Sequence, residues 1–488
     1  MSRRWWVPGL VVLLGGACAV GPSYSEPAIA PAGSAVGLSP RPDSIRAFYD
    51  SLAVADSAPP APPTTLQADS ADLAWLKILK DSTLVRLVDL AVRENRDVQT
   101  AVARIQEFRA LVGVARSGLF PELSANASAG TNQVALGAFE PVAFDALRVT
   151  ADVQWELDFW GRIRRGVQAS RADLEAEEAA YRATLLTLVS DVSNAYLELL
   201  ELGQEEAIAE RTLGSRRATL ALARSRFESG VISELDVHQF ESEVAVPAAS
   251  LAQARRLRSQ REHELATLVG RLPFNIPSTA NLADAVEAVQ VPDSLPATLL
   301  GRRPDVRQAE RAFAASVARV GVAQASRLPT ISITGNYGSQ SGTADDLFTG
   351  NTEVYQLQGG VSIPLFTGGR LANEARAAGA RAEQARLQFE QTVLQAYREA
   401  SDALVAVRTA RDQRVAQQSQ VVALRKASDL ADIRYRGGVA SYLEVLDAQR
   451  QLFSAELALS QTQLLELSSV VGLYRALGGS WKTDQTDH

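Results

Sequence analysis

Four segments of this chain alternate apolar and polar residues with period two, and two far longer segments have the composition of unbroken helix. Period two puts one set of side chains on each face of a strand. Leu119, Pro121, Leu123, Ala125, Ala127 and Ala129 alternate with Phe120, Glu122, Ser124, Asn126 and Ser128. Val149, Ala151, Val153, Trp155 and Leu157 alternate with Thr150, Asp152, Gln154, Glu156 and Asp158. Ile331, Ile333, Gly335 and Tyr337 face away from Thr330, Ser332, Thr334 and Asn336, and Tyr355, Leu357, Val361, Ile363 and Leu365 from Gln356, Gln358 and Ser362. The pattern predicts strands over about 118–130, 147–159, 328–340 and 353–365.

From Arg162 to Glu228 there is no proline, and Ala, Leu, Glu, Arg and Gln dominate; Gly369 to Arg436 matches it. These are strong helix formers, and a helix of this length would reach roughly 100 Å. Each ends in a short glycine turn, Ser229-Gly230 or Gly437-Gly438, before a second helix over about 233–269 or 441–476. Pro247 lies inside the first of these and is expected to kink or interrupt it. Helices this long must be covered by neighbouring helices, as in a coiled coil or a helical tube.

The pattern repeats at a fixed offset of 208 residues. Gly230 to Val237 returns as Gly438 to Val445, Asp97-Val98 as Asp305-Val306, Gly113 as Gly321, Pro121 as Pro329, and Gly161-Arg162 as Gly369-Arg370. Two similar units are therefore expected, repeat 1 over 71–270 and repeat 2 over 302–482, with a linker over 271–301 and a tail over 483–488.

The strands do not suit an ordinary half-buried sheet. Their polar faces are almost wholly polar, and Phe139, Phe144, Trp155, Phe159 and Trp160 cluster near their ends. Apolar-out, polar-in strands with terminal aromatics fit a membrane β-barrel with a wet lumen. Four strands cannot close a barrel, and an open edge in lipid leaves backbone groups unpaired. Three chains would supply twelve.

Composition narrows the functional classes. Net charge is −7, so there is no basic footprint for nucleic acid. The three histidines, His238, His263 and His488, stand apart, and Glu262-His263-Glu264 lacks the second His of a zinc motif. No phosphate loop, dinucleotide turn or nucleophile elbow is present. No enzyme activity, metal or cofactor is therefore expected.

The single cysteine, Cys18, follows a charged start (Arg3, Arg4), an apolar run (Val7 to Leu14) and the small residues Gly15-Gly16-Ala17. This is an export signal over 1–17. It resembles a bacterial lipoprotein signal, in which Cys18 becomes the lipidated, palmitate-bearing first residue. Gly15 departs from the usual residue at its position, and cleavage by ordinary signal peptidase stays open. The Pro-, Ala- and Ser-rich stretch within 18–70 reads as an extended tether.

Taken in order, these residues resemble the outer membrane factors of tripartite efflux pumps and type I secretion systems, more closely their lipoprotein branch. The likeness rests on Cys18-Ala19-Val20-Gly21-Pro22-Ser23-Tyr24, Trp155-Glu156-Leu157-Asp158, Arg302-Arg303-Pro304-Asp305, Pro364-Leu365-Phe366 before Gly369-Arg370, Leu446-Asp447-Ala448-Gln449-Arg450, and Tyr474 to Trp481. It implies an α+β membrane protein: a homotrimer with a twelve-stranded β-barrel in the outer membrane, lipid-anchored and continued by a twelve-helix periplasmic tube. It also implies a passive exit duct for drugs or other small toxic compounds. An inner-membrane RND-type pump would drive it through a periplasmic adaptor.

Matching by motif, Leu443, Glu444 and Asp447 fall on the family's constricting positions, and Asp236 is the repeat equivalent of Glu444. Carboxylates brought together on a three-fold axis would repel one another and attract cations. A blander reading is that Glu234, Asp236 and Glu444 sit in first helical turns, where acids favour the macrodipole. Gly230, Val231, Ser233, Gly438, Val439 and Ser441 would form the surface gripped by the adaptor. Some relatives lock the gate with a Tyr and an Arg; Tyr435 is present here, but Ala440 stands at the place of that Arg. Two alternatives stay open: an exit channel for protein secretion, and a non-channel periplasmic scaffold lipoprotein with coiled-coil arms.

Overall fold

Among the described residues, long helices and two antiparallel strand pairs account for most of the regular structure. The computed structural model describes residues 21, 22, 24, 35, 36, 81–134, 141–276, 282 and 295–479. In chain order the elements are β1 (Ala35–Val36), α1 (Ser82–Glu94), α2 (Arg96–Ser117), β2 (Glu122–Val134), β3 (Val142–Leu157), α3 (Arg162–Glu228), α4 (Glu234–Leu268), β4 (Leu295–Pro296), a 3-10 turn (Ala297–Arg302), α5 (Pro304–Ala325), β5 (Thr330–Ser341), β6 (Glu353–Ser362), α6 (Arg370–Arg436) and α7 (Tyr442–Ala476). Both long helices are 67 residues and both return helices 35. Cys18, the export signal and most of the tether and linker lie outside the described residues.

The chain divides into two compact units, and each repeat contributes to both. The first unit holds Arg104–Glu178 and Gln308–Glu390 with the N-terminal residues. It contains a four-stranded antiparallel sheet in the order β2-β3-β5-β6. The register aligns whole rows of like chemistry. Leu123 pairs with Val153, Val153 with Gly335, and Gly335 with Leu357. The row Ala125, Ala151, Tyr337 and Tyr355 shares that apolar face. On the other face Ser124, Asp152, Asn336 and Gln356 form a polar row. Leu123, Tyr355 and Leu357 are nevertheless exposed.

The Trp155-Glu156-Leu157-Asp158 motif makes the passage from strand to helix. Trp155 Nε1 donates to the Leu119 carbonyl at 3.1 Å. The Glu156 carboxylate takes Arg162 at 3.0 and 2.6 Å. Asp158 accepts the backbone N–H groups of Ile163 and Arg164 at 2.9 and 2.8 Å, meeting two orphan donors at the start of α3. In the second repeat the same places hold Ile363, Pro364, Leu365 and Phe366, and Leu365 and Phe366 are both 92% exposed. Near the N-terminus, Tyr24 donates to buried Glu310 at 2.8 Å, and Arg165 Nη2 donates to the Gly21 carbonyl at 3.3 Å.

The second unit holds Glu26–Ala103, Ala179–Arg307 and Gln391–His488. Equivalent joins in the two repeats use different chemistry. Asn95 Nδ2 donates to the Leu268 carbonyl at 2.9 Å; 208 residues on, Arg303 Nη1 donates to the Ala476 carbonyl at 2.9 Å. Arg303 also takes Asp305 at 3.0 and 2.7 Å and Glu399 at 2.7 Å, which accounts for the Arg302-Arg303-Pro304-Asp305 motif.

Pro247 does not interrupt its helix. α4 runs from Glu234 to Leu268 with Pro247 buried inside it. Proline has no N–H, so the carbonyl four residues earlier, that of Glu243, loses its helical donor. Arg216 on α3 takes the donor's place, its Nη1 lying 2.8 Å from that oxygen. The expectation is a kink or an interruption; the helix is uninterrupted, and a side chain from the neighbouring helix satisfies the carbonyl that proline frees.

Candidate functional site

The residues singled out from the sequence meet at the two helical turns of the second unit. α3 ends in a left-handed glycine, Gly230 (φ 74°), and α6 does the same at Gly438 (φ 72°). The Gly230 N–H donates to the Phe227 carbonyl and that of Val231 to Arg226. The Gly438 N–H donates to Tyr435 and that of Val439 to Arg434. Both are the paired closing bonds of a Schellman cap. Val231 and Val439 are exposed at the turns, as are Ser233 and Ser441.

The start of the following helix differs between the repeats. Ser233 and Asp236 form a reciprocal capping box: Asp236 Oδ2 accepts from the Ser233 N–H at 2.9 Å and from its hydroxyl at 2.8 Å. The Asp236 carboxylate is thus engaged in starting α4. Ser441 makes no such side-chain bond. Glu444, the repeat equivalent of Asp236, instead reaches Arg434 at the end of α6, 3.3 Å away.

Leu443, Glu444 and Asp447 share the exposed side of the first turns of α7, and Leu443 is 68% exposed. Val445 and Leu446 are buried on the opposite side. Asp447 Oδ2 accepts from Gln451 Nε2 at 2.7 Å. Beneath the turn, Ala431, Tyr435 and Val445 form an apolar cluster with Tyr442 and Ala448 against it. The Tyr442 ring lies on Phe240 and 5.8 Å from that of Tyr435. Burial, together with the nearby Glu243 carboxylate, pushes the Tyr442 phenol above its ordinary value.

Arg226 was not picked out by sequence reasoning. Its guanidinium stands 4.7 Å from the centre of the Tyr435 ring. The 208-residue offset carries the signal, because Arg226 is the repeat equivalent of Arg434. His238 is exposed and lies 3.0 Å from Glu241. No group of His, Cys, Asp or Glu among the described residues has the geometry of a metal site.

Comparison with known proteins identifies the class. The family described as outer membrane efflux protein matches residues 87–271 and again 295–479. The two matches begin and end 208 residues apart, the period of the internal repeat. The chain belongs to the outer membrane efflux protein family. It is similar to TtgC, a probable efflux pump outer membrane protein of Pseudomonas putida, with 34% identity over 432 residues, 86% of this chain and 88% of that protein. It is also similar to SrpC, a solvent efflux pump outer membrane protein of Pseudomonas putida, with 33% identity over 494 residues, 98% of this chain and 99% of that protein.

Among solved structures, the outer-membrane channel OprN superposes with a TM-score of 0.80 at 30% identity, over 95% of this chain and 100% of that one. The MtrE outer membrane channel of Neisseria gonorrhoeae, in its open state, gives 0.78 at 26%, over 96% and 100%. The protein is an outer-membrane channel of an efflux system, and the scaffold alternative gives way. Its relatives are channel components rather than enzymes. No described helix is long and apolar enough to cross a membrane.

Proposed function

We propose that three copies of this chain form the exit duct of a tripartite pump that clears small toxic compounds from the periplasm. One observation carries the reading. The four-stranded sheet exposes apolar rows on one face, carries polar rows on the other, and leaves β2 and β6 without a further strand among the described residues. Three such sheets joined edge to edge make a closed twelve-stranded barrel, apolar outside and wet within. Cys18 would anchor the chain by lipid to the same membrane.

Leu443, Glu444 and Asp447 of three chains would ring the periplasmic throat. Acidic rings favour cations and narrow a resting pore. The turns at Gly230, Val231 and Ser233 and at Gly438, Val439 and Ser441 would receive the hairpins of a periplasmic adaptor, which couples the duct to an RND-type pump. Asp236 serves as a cap at the rim of that surface.

Single-channel recording on purified protein in planar bilayers tests this. A small cation-selective conductance that rises sharply in Asp447→Ala with Glu444→Ala supports duct and gate together. A channel indifferent to both substitutions removes the gate. No conductance from folded trimers overturns the duct.

A further inference from the structure

The four-stranded sheet carries one basic residue, Arg148, against five acids, Glu122, Asp145, Asp152, Glu156 and Glu353. The register decides which of these share a face. Arg148 stands opposite Ser128 on β2 and Gln340 on β5, on the side of the sheet that holds Ser124, Asp152, Asn336 and Gln356. Asp145 and Glu353 pair with Thr131 and Ser339 and belong to the other face.

A guanidinium placed for structure would have an acid beside it, and Arg148 has none. Of the acids on its own face, Asp152 accepts from Asn126 at 2.5 Å and from Thr150 at 3.2 Å, and Glu156 takes Arg162. Glu122 lies opposite Gln154, six residues along β3 from Arg148, which is roughly 20 Å at the rise of an extended chain. Arg148 itself makes no ion pair or hydrogen bond among the described residues.

Its surroundings leave room for a ligand. The next places on that face are held by Gly130 and Ala146 on one side and by Thr150 and Gly338 on the other. None is large or charged. Gly338 has to stay bare, because a side chain there would run into the Val149 carbonyl. At Gly130 a side chain would meet nothing within 4 Å.

The second repeat shows that the strand pairing does not need the charge. It builds the equivalent hairpin with Gln356 at the place of Arg148. An unpaired guanidinium is kept at little cost where the face is wet. Several of them in one water-filled lumen walled by lipid reinforce one another, and rings of basic side chains select anions in pores. The fork of nitrogens fits the oxygens of a carboxylate, phosphate or sulfonate group.

We propose that Arg148 is an anion-binding residue of the duct: three copies form a cationic ring inside the barrel that takes the carboxylate, phosphate or sulfonate group of a compound on its way out. This rests on the reading that three chains share one barrel with the polar face inside. The ring is opposite in sign to the carboxylates of Glu444 and Asp447, so the charge preference of the whole duct is the balance of the two.

Planar-bilayer recording on full-length trimers tests the proposal, in a potassium chloride gradient and with sodium tripolyphosphate as the probe anion. Heat-resistant trimer on gels checks assembly. The comparison is made in wild type and in Asp447→Ala with Glu444→Ala, where the acidic side chains no longer offset the ring. Arg148→Gln, which installs the residue of the second repeat, should move the reversal potential toward cations. It should also weaken tripolyphosphate block about tenfold or more, because three charged donors are lost at once. Arg148→Lys should keep the reversal potential and lose part of the block, since the charge stays and the fork goes.

A conducting channel whose reversal potential and block are unmoved by Arg148→Gln in both backgrounds would overturn the ring and leave the duct. Arg148→Lys behaving as Arg148→Gln in both readouts would put the effect on side-chain shape, not charge, and overturn it too. Folded trimers that pass no current overturn the duct itself, and the ring with it.

Discussion

Arg226 closes the first hairpin and Tyr435 the second, and the guanidinium of one lies over the ring of the other at 4.7 Å. The Tyr435 hydroxyl is buried with no hydrogen-bond partner among the described residues. The ring, not the hydroxyl, is therefore what the site uses. Tyr435→Phe should leave stability unchanged or raise it by up to about 1 kcal/mol, because it removes an unmet polar group. Tyr435→Ala should cost about 3 kcal/mol through the lost ring contacts. Thermal unfolding followed by circular dichroism separates the two, and a destabilised Tyr435→Phe would mean that the hydroxyl has a partner in the assembled protein.

Asp158 closes the start of α3 with both carboxylate oxygens. Asp158→Ala should cost about 1–2 kcal/mol, and Asp158→Asn less, because an amide oxygen still accepts. The matching substitution in the second repeat, Phe366→Ala, touches no cap and should spare the helix start. Hydrogen exchange at Ile163 and Arg164 reads the difference directly.

Glu201 sits almost wholly buried on α3 beside Glu205 and Ser460. Burial first, and then the Glu205 charge, push its carboxyl up to about 8 from an ordinary value of 4.5. Glu198 is neutralised by Arg261 at 2.7 Å, and Glu205 accepts from Gln461 at 3.1 Å. The folded chain keeps this proton where the unfolded chain gives it up. Stability from this group is thus full below about 4.5 and falls as pH rises toward 8. Glu201→Gln should match the wild type near pH 4.5 and melt a few degrees higher near pH 8. Equal melting temperatures at both pH values would show that Glu201 holds no extra proton.

Gly230 and Gly438 have positive φ, yet a side chain at either would meet no atom within 4 Å. Alanine there should strain only the backbone, by about 1 kcal/mol, with Asn better tolerated. Exchange protection should fall in the adjoining turns alone; on the proposed function, binding of a periplasmic adaptor should also weaken while the trimer is kept. A variant that loses the trimer would place these glycines in assembly instead.

Much of the architecture is legible in the sequence because it is periodic. Rows such as Leu123, Val153, Gly335 and Leu357 show as alternation within each strand, and the capped turns at Gly230 and Gly438 show as a repeated motif. What cannot be read locally is any contact whose partners are distant and of unlike pattern. Arg226 and Tyr435 are 209 residues apart, and neither stands out alone. Pro247 shows the same limit: helix propensity counts only the helix's own donors, and Arg216 supplies one from the neighbouring helix. Asp236 and Glu444 occupy equivalent positions, but only the side chains around them decide that one caps its helix and the other pairs with Arg434.

The unpartnered edges of β2 and β6 bear on how the protein comes into being. On the proposed assembly, a lone chain would carry, among the described residues, two sheet edges without a strand partner beside an apolar face, which is the anatomy of an aggregating species. If three chains do share one barrel, biogenesis becomes a race in which correct pairing must outrun promiscuous pairing. Yield should then rise steeply with the supply of sister chains at the membrane, and a periplasm poor in holding chaperones should lose this protein before it loses single-chain barrels.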